Sequence, residues 1–128
     1  MTAVLDASAV LALIYREPGH DRVAEALPGA VLCTVNYSEV VQKLAQLDHP
    51  APVEAAGVVV SFGAEIVGFT ADDAVRAAQL WSSTRSAGLS LGDRACLAVT
   101  ARVPDGRALT ADHPWTTVDA GVAVDLIR

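Results

Sequence analysis

The sequence lacks several features that would place it in a specialised class of protein. Its 128 residues include two cysteines, Cys33 and Cys96, and no CxxC pair, which argues against a disulfide scaffold or a structural zinc site. No run of about 18 uncharged apolar residues is present, so we expect no transmembrane helix and no membrane partner. The apolar N-terminus has no basic segment and is interrupted by Asp6, which argues against a signal peptide. Together these absences predict a cytoplasmic protein with buried, reduced thiols.

Positive charge is also scarce. Lys and Arg number 9 against 15 Asp and Glu, so the formal net charge is −6. Charge alone therefore argues against a protein that binds nucleic acid through a broad basic face. The hydrophobic share of 52% is high for a small soluble monomer and indicates an oligomer interface. The length fits a single domain over residues 1–128.

Short apolar runs of strand length alternate with helical segments along the chain. The predicted strands cover residues 3–5, 30–33, 65–69, 107–110 and 122–127. Because helices separate these strands, the connections are crossovers and the strands run mainly parallel. The sequence therefore predicts an α/β fold of three layers, with a mainly parallel central sheet of about five strands and helices on both faces.

Polar pairs three residues apart predict where several helices begin. The pairs that match a capping box are Asn36–Glu39, Thr70–Asp73 and Ser90–Asp93. The helix that follows Thr70 is predicted to continue to about Ser86, with Val75, Ala78 and Trp81 on its apolar face. Residues 53–61 are predicted to form one further short helix, although the valine run 58–60 leaves a strand possible.

Four acidic residues are predicted to lie at one edge of this sheet. Asp6 follows the first strand and Asp112 the fourth, while Glu39 and Asp93 lie in the first turns of helices at the same edge. In an open parallel sheet, sites form beyond the carboxyl ends of the strands. Helix capping alone would explain any one of these acids. Four carboxylates in apolar surroundings, however, raise one another's pKa, and one or two Mg²⁺ or Mn²⁺ ions would satisfy them.

Carboxylate-held divalent ions have a characteristic chemistry. They lower the pKa of a bound water and hold the oxygens of a phosphodiester. They would also bring positive charge to an acidic chain, so that a nucleic-acid phosphate could approach. Lys43, four residues after Glu39, is either part of such a site or an ordinary helix-surface pair with Glu39.

The four acids lie in segments that together resemble a known family. The segments are Val4–Ala9, Ser38–Val40, Leu89–Ala98 and Leu109–Trp115. In this order along the chain they resemble the motifs of PIN domains, and among these the VapC-like toxin ribonucleases of bacterial toxin–antitoxin pairs.

This resemblance implies a function, a cofactor and partners. It implies an endoribonuclease that depends on Mg²⁺ (or Mn²⁺), is held inactive by a small cognate antitoxin, and forms a homodimer or a toxin–antitoxin hetero-oligomer. The acids that the motifs place at the metal and in catalysis are Asp6, Glu39, Asp93 and Asp112. Ser8 and Thr110 would be hydroxyl-bearing neighbours of the metal or substrate. Arg94 would contact an RNA phosphate or an antitoxin carboxylate, or else be a solvated or salt-bridging arginine.

Two other functions fit parts of the same sequence. A PIN-like domain without catalytic activity could bind a protein partner through the apolar surface that the composition indicates. A phosphatase with Asp6 as the nucleophile is the weaker alternative, because Ser8 occupies the position where a second aspartate would be expected.

Overall fold

The central element of the fold is one five-stranded parallel sheet. The computed structural model describes residues 1–128. The strands are β1 (Thr2–Leu5), β2 (Val31–Cys33), β3 (Glu65–Val67), β4 (Gly106–Thr110) and β5 (Ala123–Leu126). Their order across the sheet is β3-β2-β1-β4-β5, and every neighbouring pair is parallel. The predicted α/β class and parallel sheet are therefore confirmed, and β1 lies at the centre.

Helices connect the strands on both faces of the sheet. They are α1 (Ala7–Tyr15), α2 (His20–Ala26), α3 (Thr34–Gln46), α4 (Pro52–Ala56), α5 (Val58–Ser61), α6 (Ala71–Gln79), α7 (Trp81–Thr84) and α8 (Leu91–Arg102). Two 3-10 turns cover Arg85–Ala87 and His113–Thr117. None of the helices combines the length and the apolar character that crossing a membrane requires.

The alternation of side chains along the strands produces two separate cores. Leu5, with its register partners Leu32 and Leu109, packs on the face that α1 to α5 cover. On the opposite face Val4 packs with residues of α8 and with Trp115, which is 1% exposed. Both faces of β1 are therefore buried, and the three-layer arrangement predicted from the sequence is confirmed. Cys33 and Cys96 lie in the second core as free thiols.

Two of the three predicted capping boxes are present. At Thr70–Asp73 and Ser90–Asp93 the reciprocal side-chain-to-backbone bonds form as expected. The third prediction is wrong, because α3 begins at Thr34 and Asn36 lies inside its first turn. Glu39 consequently lies in the second turn of α3 and not in the first turn as predicted. Asn36 is buried, and its side-chain amide donates to the Glu39 carboxylate and the Gly92 carbonyl instead of capping the helix.

The helix that follows Thr70 is shorter than the sequence predicts. It ends at Gln79, and a separate short helix and a 3-10 turn replace its expected continuation to Ser86. Just beyond its end, the hydroxyls of Ser83 and Thr84 donate to the Leu80 carbonyl. Such bonds compete with the regular backbone ladder and disturb a helix.

The same segment also exposes the face that the sequence predicts to be apolar and buried. Val75 and Trp81 are 58% and 52% exposed, whereas Asp73 and Ala77 are buried. The predicted helix over residues 53–61 is also divided, since Gly57 separates α4 from α5.

Candidate active site

Asp6 lies at the carboxyl end of the central strand and is 3% exposed. It is the N-cap residue of α1, where Asp6 Oδ1 accepts a hydrogen bond of 2.8 Å from the Ala9 amide. Two hydroxyls also donate to its carboxylate. Ser8 Oγ lies 2.7 Å from Oδ1, and Thr110 Oγ1 lies 2.5 Å from Oδ2. Both hydroxyl residues named from the sequence are therefore direct neighbours of Asp6.

The two hydroxyls also fix the chain that follows β4. Ser8 Oγ accepts from the Ala111 amide at 2.9 Å, and Thr110 Oγ1 accepts from the Asp112 amide at 3.0 Å. Asp112 itself is exposed and lies two residues beyond the end of β4. The network therefore holds the backbone of Asp112 at the same edge of the sheet as Asp6.

Glu39 is held by the buried side-chain amide of Asn36, a residue that the sequence pattern predicts to be a helix cap. Asn36 Nδ2 donates to Glu39 Oε1 at 2.8 Å and to the Gly92 carbonyl at 2.9 Å, which links α3 to the start of α8. Gly92 leaves the space that the Glu39 carboxylate occupies, since a Cβ at this position would lie 2.5 Å from Glu39 Cδ. The N-x-x-E pattern of Asn36 and Glu39 is the same for a helix cap and for an amide that orients the glutamate. The burial of Asn36 indicates the second role.

Asp93 lies in the first turn of α8 and is half-buried. Its carboxylate accepts from the Ser90 amide at 2.9 Å, and its own amide donates to Ser90 Oγ. The neighbouring Arg94 directs its guanidinium to α6, where Nη1 donates to the Ala77 carbonyl at 2.8 Å. Its Nε is buried and has no hydrogen-bond partner. Arg94 therefore joins α8 to α6, and a contact of Arg94 with substrate remains a prediction.

The four acids form one electrostatic site. Burial raises the pKa of Asp6 to about 7, although three hydrogen bonds oppose the shift. Burial also raises the pKa values of Glu39 and Asp93. The charge of Asp112 raises the pKa of all three, and the charge of Asp93 further raises that of Glu39. Asp6, Glu39 and Asp93 are thus ionised at a cost that neighbouring charges increase.

The acids do not converge on a single point. No group of three His, Cys, Asp or Glu side chains is spaced to hold a metal ion. Instead, Asp6, Glu39 and Asp93 are each held by their own local donors. The chemistry of the donor set nevertheless fits a hard divalent cation, because the set consists of carboxylate oxygens whose mutual repulsion such an ion would relieve.

Sequence comparison identifies the family. The family model described as "PIN domain" matches residues 3–121, which include all four acids. The chain belongs to the PIN domain family. No protein of curated function matches it significantly in sequence.

Solved structures share the fold of this PIN domain over nearly the whole chain. VapBC2 from Rickettsia felis, bound to a DNA fragment from its promoter, superposes with a TM-score of 0.74 at 13% identity, covering 98% of each chain. VapC20 from Mycobacterium tuberculosis, described as a sarcin-ricin loop cleaving toxin, has a TM-score of 0.73 at 20% identity, covering 91% of this chain and 94% of its own. A toxin–antitoxin complex from Klebsiella pneumoniae has a TM-score of 0.73 at 18% identity, covering 100% and 98%.

Proposed function

We propose that this PIN domain is a metal-dependent endoribonuclease that hydrolyses RNA phosphodiester bonds. The observation that supports the proposal is the set of four acids at the carboxyl edge of the sheet, three of which have raised pKa values. Carboxylates in such a set are more stable when a divalent cation binds them than when their charges remain unpaired. The likeness in fold to a toxin that cleaves the sarcin-ricin loop supports RNA as the substrate.

In this proposal Asp6, Glu39, Asp93 and Asp112 hold one or two Mg²⁺ or Mn²⁺ ions. Bound divalent ions supply an activated water and neutralise charge on a phosphodiester. The chain's own groups preorganise the ligands, since Ser8 and Thr110 orient the Asp6 carboxylate and Asn36 orients that of Glu39. Fixing ligand orientation by outer hydrogen bonds of this kind strengthens metal affinity and activity.

We further propose that the protein is a cytoplasmic toxin, neutralised by a small antitoxin, in a homodimer or a toxin–antitoxin hetero-oligomer. The complexes among the structural neighbours support an antitoxin partner. An apolar recess of about 520 Å³ between α1, α2 and α5, lined in part by Leu13, Leu27 and Phe62, offers a surface for a protein partner. Expression without the partner should arrest growth, and co-expression should relieve the arrest.

The decisive experiment replaces site acids by their amides. Asparagine caps a helix about as well as aspartate, so Asp6→Asn should change the melting temperature little. It should reduce RNA cleavage in Mn²⁺ by at least about a hundredfold, because one ionised ligand is lost. Asp93→Asn should behave in the same way, and Glu54→Gln, which changes an exposed acid on α4, is the matched control. Cleavage that survives either site substitution contradicts the proposal.

The apolar recess also supports the alternative, a PIN domain that binds a protein partner without catalysis. This alternative predicts a stable complex with the partner but no growth arrest and no metal-dependent RNA cleavage by the wild-type protein. Calorimetry with Mn²⁺ separates the two functions, because only the nuclease requires metal binding at the four acids.

A further inference from the structure

A second recess adjoins the candidate active site on the side of α3. It has a volume of about 240 Å³ and lies between the start of α1 and the exposed face of α3. Its lining residues are Ala7, Leu11, Glu39, Gln42, Lys43 and Gln46. Glu39 belongs to both places, so the recess begins at this one site acid and continues from it along α3.

The polar wall of this recess is one stripe of α3. Glu39, Gln42, Lys43 and Gln46 occupy positions i, i+3, i+4 and i+7, which lie on one face of a helix. The stripe extends about 10 Å along the helix axis. Besides Glu39, the one charged side chain that lines the recess is Lys43. The amides of Gln42 and Gln46 can both donate and accept hydrogen bonds.

Lys43 is the one lysine of the chain, and its charge is not used within the fold. It makes no ion pair, even with Glu39 four residues earlier, because the Glu39 carboxylate is held by Asn36. Several arginines, in contrast, have partners in the protein, such as Arg102 with Asp73. The ordinary helix-surface pair between Lys43 and Glu39 is therefore absent, and the ammonium group is available to a ligand.

We infer that this recess binds the segment of RNA next to the scissile phosphate, with Lys43 contacting a phosphate and Gln42 and Gln46 contacting the sugar or base. The inference rests on the proposed ribonuclease function. The ammonium group of Lys43 lies one helical turn from Glu39 and supplies positive charge beside the acidic site. Contacts of a lysine to phosphate position a nucleic acid without selecting its sequence, whereas amides hydrogen-bond to sugars and base edges.

The test measures RNA binding by wild type, Lys43→Gln and the control Arg16→Gln. Both substitutions remove one positive charge, but exposed Arg16 follows the far end of α1 and does not line this recess. The probe is a short fluorescein-labelled single-stranded RNA, followed by anisotropy without divalent ions. Lys43→Gln should weaken binding by roughly threefold or more at low salt and reduce the salt slope of log Kd by about one. Arg16→Gln should leave both near wild type, and Lys43→Arg should restore the slope.

Cleavage assays on the same variants separate this inference from the proposed function. Lys43→Gln should raise KM and leave kcat nearly unchanged, because the contact positions RNA and does not take part in the reaction. Equal binding and salt slopes for Lys43→Gln and Arg16→Gln would overturn the role of Lys43, even if the wild type cleaves RNA. A wild type that does not cleave RNA overturns the proposed function instead, whatever the binding data show.

Discussion

At the scale of single residues, Asp6 shows that one carboxylate can cap a helix and also belong to the candidate site. Its carboxylate caps α1 through the Ala9 amide and also forms the centre of the candidate site. The sequence predicts the position of Asp6 because strand, acid and helix follow one another directly. It does not predict the role of Asn36, because that role depends on Gly92, which is 56 residues away along the chain. Contacts between distant elements leave no local pattern in the sequence.

Gly92 allows a test of the Glu39 position that separates activity from stability. In Gly92→Ala the new Cβ would occupy the space of the Glu39 carboxylate and force that side chain to turn away. Alanine is favoured over glycine in a helix by roughly 0.5–1 kcal/mol, so the melting temperature should stay the same or rise. RNA cleavage should fall about tenfold or more, because Glu39 is a metal ligand in the proposed function and its displacement would misplace the reacting groups.

The matched control for this substitution is Gly57→Ala. There the added Cβ would meet carbonyl oxygens at 3.5 Å, an ordinary contact, and the backbone φ of −71° suits alanine. We expect the Gly57 variant to keep wild-type activity. Full activity in Gly92→Ala would show that the position of the Glu39 carboxylate does not matter for the reaction.

At the scale of elements, the sequence predicts helix starts well where the capping bonds are local. The pairs Thr70–Asp73 and Ser90–Asp93 lie three residues apart and form the expected boxes. The start of α3 at Thr34 has no side-chain cap and hence no signal. The exposure of Val75 depends on how α6 packs against α8, and the apolar periodicity of α6 alone predicts the wrong face. Trp81 is exposed because the helix ends before it and Trp81 lies in α7.

The packing of α6 on α8 depends on a buried acid, and this predicts a pH dependence. Burial opposes the ionisation of Asp73, but hydrogen bonds from Arg102 and Thr70 outweigh it and lower the pKa of Asp73. Because its pKa is lower in the folded state, Asp73 stabilises the fold above the unfolded pKa of about 4, and this stabilisation is lost as the pH falls through the folded pKa. The charge pair should therefore contribute fully at neutral pH and little in strong acid.

Urea unfolding of Asp73→Asn measures this contribution. At about pH 7 the substitution should lower the free energy of unfolding by about 1–2 kcal/mol, an amount limited by the solvent exposure of Arg102. At about pH 3 the difference from wild type should be much smaller. Asp72→Asn, which changes the exposed neighbouring acid, should have little effect at either pH. A difference that does not depend on pH would show that the Asp73 charge is not the stabilising feature.

At the scale of the whole molecule, the topology is the most predictable property. α-Helices separate all successive strands except β4 and β5, and such connections are crossovers that make the strands parallel. The structure has this parallel sheet, with β1 at its centre. The same topology brings Asp6, Glu39, Asp93 and Asp112 to one edge, as the sequence predicts. Whether the four side chains meet at one ion does not follow from topology, because local donors hold three of them separately.

If the four acids bind divalent cations as proposed, the stability of the entire domain should depend on those cations. Burial, and to a lesser extent the charges of neighbouring acids, raises the pKa values of Asp6, Glu39 and Asp93, so ionisation of these groups opposes folding. A cation that binds the folded site and not the unfolded chain stabilises the fold by about 2.7 kcal/mol at a hundred times its dissociation constant. Millimolar Mn²⁺ at neutral pH should therefore raise the melting temperature of wild type and of Glu54→Gln by several degrees. Asp93→Asn should show a much smaller shift, and an equal shift in all three proteins would place the bound cation elsewhere on this acidic surface.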